Sequence, residues 1–578
     1  MSSTWTPAAS SQPQTIAYFS MEIGLDAAMP TYSGGLGVLA GDTLRAAADL
    51  GVPMAAVTLV HRKGYFRQHL DASGNQTESP YMWSPERVLE PVAQQVTVEI
   101  EGRPVRVRAW RATITGAGGA TVPVYFLDTS DPANSPFDRS ITDMLYGGDQ
   151  HNRLCQEAVL GMGGAMLLRA MGYAALQTYH MNEGHSSLLA LALLEAAGTA
   201  PGDAPAAGVA AQVRSKCVFT THTPIPAGHD RFPWGLVRQV LGDARTRTLE
   251  AAGASTEGVL NMTALGLFFS RYVNGVSQRH QDVAQAMFPD HPIAYVTNGV
   301  HGATWVAPAM QRVLDRHIPD WRRDNEALRT ASRIPLEELV GAHSEAKQAL
   351  LAEVQRRSGI AMDPNAIVLG FARRSTPYKR ADLLFQDMER LLRIAREEGP
   401  VQILYGGKAH PHDGGGKDLI RRVHRAADQA GANPRVVYLE EYDIALAKLL
   451  VSGVDIWLNT PQRPLEASGT SGMKAALNGV PNLSVLDGWW VEGHVEGVTG
   501  WAIGGPVAED DGGAGDAASL YHKLEHAVLP AYYSHVTDFA RIMRSSIAIN
   551  GAYFNAHRMV RQYADQAYQP TSQADVAA

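Results

Sequence analysis

Short apolar runs rich in β-branched residues recur along the chain, separated by longer stretches of helical periodicity. The first half carries AAVTLV at 55 to 60, ALQTYH at 175 to 180, KCVFTT at 216 to 221 and IAYVTN at 293 to 298. The second half repeats the rhythm with IVLGFA at 367 to 372, VQILYGG at 401 to 407, RVVYLEE at 435 to 441, VDIWLN at 454 to 459 and NLSVLD at 482 to 487. Runs of this kind read as strands buried on both faces, and strands alternating with helices predict parallel sheets covered on both sides. Two doubly wound α/β domains are expected. A helical pattern from 334 to 359 separates the two series and puts the hinge in the region 300 to 335. Helical sequence from 520 to 565 follows a Gly/Asp-rich stretch at 504 to 516, and its packing on either domain is open at this point. The Ser, Thr, Pro and Ala of residues 1 to 14, and a similar tail after Tyr568, predict frayed ends without chemistry.

Composition narrows the classes. With 578 residues, 45% hydrophobic and 19% charged, the chain suits about three globular domains, or two large ones. Fifty basic against 58 acidic residues give a net charge of -8, so no broad positive field exists to gather nucleic acid or anionic lipid. Any anion must be held locally. Cys155 and Cys217 are too few for a disulfide framework and fit a reducing cytoplasm. The first 44 residues contain no Lys or Arg, and no uncharged apolar run reaches the roughly 18 residues of a membrane span. A cytoplasmic protein without a membrane partner is expected.

Doubly wound sheets bind ligands where their strands end, so the polar segments after each run are the candidates. EASGTSGMK at 466 to 474 would let backbone N–H groups approach a phosphate at a helix start; the alternative is a flexible turn with an ordinary surface lysine. Met473 separates Gly472 from Lys474, which departs from the nucleotide P-loop. RRSTPYKR at 373 to 380 places four cations in eight residues, either an oxyanion clamp or a solvated basic helix start. YSGGLG at 32 to 37 offers further N–H donors, or a tight turn. His180, Glu183 and His185 lack the four-residue spacing of a helical metal pair, and His410, His412 and Asp413 sit in a Pro/Gly-rich loop; no metal is expected at either. Trp489 and Trp490 could stack on sugar rings or simply pack. A GxSxG nucleophile elbow is absent from the sequence.

Taken together these segments resemble the α-glucan phosphorylases, the glycogen, starch and maltodextrin phosphorylase family, as a short bacterial-type member and from about Tyr18 to the final helices. The motifs are YSGGLG, TTHTP at 220 to 224, VTNG at 296 to 299 with Trp305, RRSTPYKR, GGKA at 406 to 409, LEEY at 439 to 442 and EASGTSGMK. The resemblance implies a GT-B fold, two Rossmann-like domains flanking a cleft, with units at about 1–305, 306–525 and 526–570, the last returning to the N-terminal domain. It implies pyridoxal 5′-phosphate carried on Lys474, with Thr470, Arg373 and Tyr442 at its phosphate, Gly35 close by and Trp305 beside its ring. Arg374 and Lys379 would grip inorganic phosphate. Glu466, Ser468 and Gly469 would meet the far hydroxyls of the glucosyl unit, and Asn298 and His222 its primary alcohol. Lys474, Arg374, Lys379 and His222 are the implied catalytic set.

The implied reaction is phosphorolysis of α-1,4-glucans to α-D-glucose 1-phosphate with retained configuration, the partners being glucan and inorganic phosphate; homo-oligomerisation is open. A nucleotide-sugar glucosyltransferase on the same scaffold and a non-catalytic glucan-binding protein are the alternatives. Asp443 and Gly24 depart from the large family members, which carry arginine and an aromatic residue near these places, and the chain is too short to expect their N-terminal regulatory segments.

Overall fold

The computed structural model describes residues 15–253, 255–256, 258–505 and 512–569. The leader at 1 to 14, the tail from 570 and residues 506 to 511 of the Gly/Asp-rich stretch lie outside the described residues. Each of the nine apolar runs contains a strand. The first domain is built on β1 (Ile16–Phe19), β2 (Met54–Leu59), β3 (Arg103–Thr115), β4 (Thr121–Asp128), β5 (Thr178–Asn182), β6 (Cys217–Thr220), β7 (Tyr272–Gly275) and β8 (Ala294–Tyr295). The second is built on β9 (Ile367–Ala372), β10 (Val401–Gly406), β11 (Arg435–Leu439), β12 (Ile456–Asn459), β13 (Asn482–Val485) and β14 (Gly500–Ile503).

The second sheet is wholly parallel in the order β11-β10-β9-β12-β13-β14. Strand order therefore reverses between β9 and β12, and the crevice beyond their carboxyl ends is where such a sheet leaves room for a ligand. The first sheet runs β8-β7-β6-β5-β1-β2-β4-β3, reversing between β1 and β5. It is not entirely parallel, as the apolar runs alone predict. β3 pairs antiparallel with β4, and its sequence RPVRVRAWRATIT buries Val105, Val107 and Ala109, with exposed Arg106 and half-buried Arg108 alternating between them. Beyond it Glu90–Pro91 and Val96–Ile100 also pair antiparallel with β3, so the sheet continues past it, and alternation along such a strand is the antiparallel pattern.

Five helices shape the cleft and the junction between the domains: α1 (Gly35–Leu50), α2 (Leu336–Ser358), α3 (Ile444–Gly453), α4 (Thr470–Leu477) and α5 (Ala556–Gln566). α2, α3 and α4 cover the second sheet, and α1 and α5 share a core with Tyr18, Ala56 and Val124 of the first. The chain leaves this first core after Val296 and enters the second at Val300; it returns between Phe554 and Ala556. The two crossings pair with each other, Val300 N–H donating to Phe554 O at 3.1 Å and Ala556 N–H to Val300 O at 2.9 Å. Gly299 is required at this junction because a Cβ there would overlap the Asn555 carbonyl. A hairpin of Arg67–Leu70 and Gln76–Ser79 reaches from the first domain to the second, where Gln68 Nε2 donates to Gly407 O at 2.9 Å and Gln76 Nε2 to Ala409 O at 2.8 Å. Among the described residues no helix is long and apolar enough to cross a membrane.

Candidate active site

The carboxyl ends of both sheets face one cavity of about 830 Å³. All thirteen site residues that the resemblance implies line it: Gly35, His222, Asn298 and Trp305 from the first half and the crossing, with Arg373, Arg374, Lys379, Tyr442, Glu466, Ser468, Gly469, Thr470 and Lys474 from the second. The basic loop follows β9 and the Glu466 segment follows β12, so they flank the point where the strand order reverses. Two helices begin at the wall. Gly34 is the N-cap of α1 and Gly469 that of α4, neither helix has a side-chain cap, and neither carries an acidic residue in its first turn. Uncapped first-turn N–H groups and the positive ends of two helix dipoles are thus turned toward the same space. Gly469 has φ 88, a left-handed backbone that glycine adopts freely.

The carboxylates lining the cavity are Glu22, Asp149, Glu183, Asp230, Asp443 and Glu466, and each is already occupied. Glu22 accepts from the N–H groups of Ser33 and Gly34 and from Tyr146 OH, which fixes the glycine loop. Asp149 and Asp443 cap helices, Asp443 Oδ1 accepting from Leu446 N–H at 2.7 Å. Glu183 accepts from the N–H of Gly184, the N–H of His222 and Thr223 Oγ1. Asp230 pairs with Arg153 at 2.9 Å. Glu466 Oε2 holds Lys379 Nζ at 2.5 Å and Arg373 Nη2 at 2.6 Å. Burial pushes the Glu466 carboxyl up, but these two cations outweigh it and bring it down to about 2. Asp487 Oδ2 accepts from Glu466 N–H at 2.9 Å and so positions that carboxylate from behind.

Cations are left over. Arg374 has no ion pair within 4.0 Å among the described residues, and its Nη2 reaches only Ser33 Oγ at 3.4 Å. Arg373 keeps Nη1 buried and unpartnered. Lys474, 7% exposed, has neither an ion pair nor a hydrogen bond at Nζ among the described residues; it lies 3.9 Å from the Trp305 ring centroid. Burial pushes the ammonium down to about 8, with Asp42 pulling weakly the other way. Trp305 is fixed by its own Nε1–H, which donates to Asp42 Oδ2 at 2.7 Å.

Three neutral side chains, His222, Asn298 and Ser468, also face the cavity. Burial, reinforced by His280, His180 and His185, pushes His222 down to about 3, so it is an imidazole at neutral pH. Its Nε2–H donates to Asn182 Oδ1 at 2.7 Å, which leaves Nδ1 as an acceptor. The side-chain amide of Asn298 has no protein partner among the described residues, and Ser468 Oγ is buried without one. These are groups that a hydroxylated ligand can satisfy.

Sequence reasoning passed over several residues of this wall. Glu22 follows β1, whose four-residue apolar run is short enough to escape notice; Tyr65, Tyr146 and Asp230 lie in loops without a motif. Glu183 and His185 were visible as a histidine cluster, but they separate in space from His180, which is buried against Tyr18, Tyr563 and Tyr568. Trp489 and Trp490 are buried in the second core and do not line the cavity. The two departures have structural reasons. A Cβ on Gly24 would already lie 3.2 Å from Tyr32 Cγ and 3.3 Å from Ile444 Cδ1, so Tyr32 fills the space of an aromatic residue. Asp443 serves as the N-cap of α3. Asp443→Ala is therefore expected to cost about 1 kcal/mol of stability and to lower the calorimetric midpoint by about 2–4 °C, with turnover intact; a fall in turnover at an unchanged midpoint would instead give Asp443 a role toward the ligand.

A family model described as carbohydrate phosphorylase matches residues 216–498. The chain is 39% identical over 608 residues to the maltodextrin phosphorylase of Thermococcus litoralis, spanning 96% of this chain and 70% of that protein. It is 38% identical over 633 residues to the glycogen phosphorylase of Mycobacterium tuberculosis, 98% and 72% being covered. Against the glycogen phosphorylase of Aquifex aeolicus it is 35% identical over 607 residues, with 96% and 86% covered.

Proposed function

The chain belongs to the carbohydrate phosphorylase family, and from that premise we propose that it cleaves α-1,4-glucans with inorganic phosphate, releasing α-D-glucose 1-phosphate with retained configuration. One observation carries the reading: every carboxylate lining the cavity is held, while Arg374, Lys474 and the uncapped start of α4 remain to receive anions. A nucleotide-sugar transferase gives the buried Lys474 no role, and a mere glucan-binding protein needs no such surplus of positive charge.

Pyridoxal 5′-phosphate is the cofactor we propose, and the residues fit it. Lys474 offers a buried amine depressed toward neutrality, the start of α4 and the free Nη1 of Arg373 offer donors for a phosphate, and Trp305 offers a flat face. Thr470, Tyr442 and Gly35 complete that wall. When bound, the cofactor supplies a phosphate that exchanges a proton with the attacking one.

The chain's own residues do the rest. Arg374 and Lys379 bind inorganic phosphate and offset the repulsion of two anions in one cleft, where preorganised charge is worth several kcal/mol, of the order of 3. Glu466, ionised and balanced by its two cations, accepts hydrogen bonds from sugar hydroxyls, helped by Ser468 and Gly469. It cannot act as a general acid. Glu183, whose carboxyl burial raises, is held by three protein donors, so among the described residues lining the cavity no carboxyl is free as in the two-carboxylate glycosidases, and the substrate phosphate gives the leaving oxygen its proton as the C1–O bond breaks. Attack by the same phosphate on the vacated face retains the α-configuration. Asn298 and the Nδ1 acceptor of His222 meet the primary alcohol. A cytoplasmic setting agrees with Cys155 and Cys217, which are free and buried, their thiols pushed up to about 12 by burial.

The reconstituted protein should release glucose 1-phosphate from maltodextrin and phosphate, and should discriminate strongly against xylosyl analogues that lack the primary alcohol. Leaving buried polar groups unpaired makes such discrimination large, of the order of a hundredfold or more. Asn298→Ala should narrow it while the cofactor stays bound. Comparing both donors on both proteins decides the point: equal discrimination before and after the change removes Asn298 from the sugar site, and turnover of a nucleotide sugar in place of phosphate overturns the function.

A further inference from the structure

Outside the cavity, beside the paired crossings between the domains, three side chains converge. Asp49 lies in the last turn of α1, His301 follows Val300 of the first crossing, and His557 stands in the first turn of α5, two residues beyond Asn555 of the second. Asp49 Oδ2 is 2.8 Å from His301 Nε2 and 3.0 Å from His557 Nε2, and the three potential ligand atoms lie within 4.8 Å of one another. In sequence the histidines are 252 and 508 residues from Asp49, so no spacing motif announces the group.

We propose that Asp49, His301 and His557 bind a divalent transition-metal ion of the Zn²⁺ class, and that the ion clamps α1 to both crossings. Two imidazole nitrogens and one carboxylate oxygen suit Zn²⁺ or Co²⁺ and not Mg²⁺ or Ca²⁺, which prefer oxygen throughout. Ligands bound at about 2.0–2.1 Å in a tetrahedral shell stand about 3.3 Å apart, so the two Asp49 contacts open by a few tenths of an ångström while the two imidazole nitrogens, within 4.8 Å of each other, settle at the same spacing. The outer partners of a metal site are also in place. Thr304 Oγ1 is 2.7 Å from His301 Nδ1 and holds that ring, and Ala117 N–H donates to Asp49 Oδ1 at 2.7 Å, fixing the carboxylate with Oδ2 inward.

The His557 ring is 0% exposed and its Nδ1 has no hydrogen-bond partner among the described residues, so Nε2 is the nitrogen that it brings to the group. The nearby cation Arg561 is committed to Asp324 and Glu326. Ala117 is exposed, so the ion and the water completing its shell can enter beside the turn between β3 and β4. The site does not touch the reacting groups; its effect falls on the hinge, since Val300 adjoins His301 and Asn555 stands two residues before His557.

The full chain, stripped with a chelator and dialysed against Zn²⁺, should retain one ion per chain by mass spectrometry and melt at a midpoint that rises with Zn²⁺ concentration. Co²⁺ in its place should give the visible absorption of a low-coordinate nitrogen and oxygen site. Asp49→Asn keeps an oxygen for the two N–H groups to meet but is a poor ligand, and with His557→Gln it should abolish the retained ion, the midpoint shift and the Co²⁺ band. Exposed His522 and His526, with ring centroids 4.6 Å apart, are the competing adventitious site. Replacing both with Gln should change none of the three readouts. A chain that keeps no Zn²⁺ and gives only the faint spectrum of aqueous Co²⁺, or Asp49→Asn protein that holds the ion as well as the parent, overturns the proposal.

Discussion

Borohydride reduction of the cofactor-loaded protein is expected to fix one pyridoxyl label per chain, on the peptide carrying Lys474, and Lys474→Ala should accept no label and lose at least about a thousandfold in turnover. Lys474 is singled out by its surroundings. Lysines elsewhere in the cavity wall are spoken for, Lys379 by Glu466 and Lys408 by Glu441 and the Phe66 carbonyl. Lys474 instead faces an indole, buried, with its ammonium brought down to about 8. This fixes the sign of the pH effect. Below pH 8 the amine is mostly protonated and unreactive, so loading of the stripped chain should speed up about tenfold per pH unit on approaching 8 and level off above it. Loading that stays flat through that range, or a label on another lysine, would remove Lys474 from the role. A protein that cannot be loaded at all would promote the nucleotide-sugar alternative.

Much of this site was legible in the sequence because both sheets put their chemistry directly after buried strands. IVLGFA and VDIWLN announce β9 and β12 by composition, and the cations and Glu466 follow within a few residues. What escaped reading depends on partners far away in the chain. β3 is amphipathic, so its period-two pattern reads as an antiparallel strand only once β4 and the strands on its other side are known to lie beside it. Glu22 looks like any acidic residue until Ser33 and Gly34 donate to it. The ion pairs of Glu466 are equally nonlocal: the resemblance assigns it to sugar hydroxyls, while the folded chain first gives it two cations from the loop after β9. Gly24 and Asp443 look like losses against larger relatives, and become intelligible when Tyr32 and Leu446 are seen in their places.

That ion-pair arrangement separates two substitutions that would otherwise look alike. Arg374→Ala and Lys379→Ala should each cut turnover by at least about a hundredfold, the usual scale for losing a preorganised charge at a reacting anion. Arg374 touches no carboxylate, so its removal should act on phosphate alone: the KM for phosphate should rise, with glucan affinity and cofactor content preserved. Lys379 also neutralises Glu466, and without it that carboxylate keeps only Arg373. Arg373 would be drawn more strongly to Glu466 and away from the wall it shares with the start of α4. Lys379→Ala is therefore expected to weaken phosphate and glucan together, and to loosen the cofactor as well. Steady-state kinetics with each substrate varied in turn, alongside cofactor absorbance, distinguishes the two patterns. If both variants retain near-parental phosphorolysis, the basic loop is a solvated surface and the anion site lies elsewhere; if Arg374→Ala weakens glucan as much as phosphate, the division of labour argued from Glu466 fails.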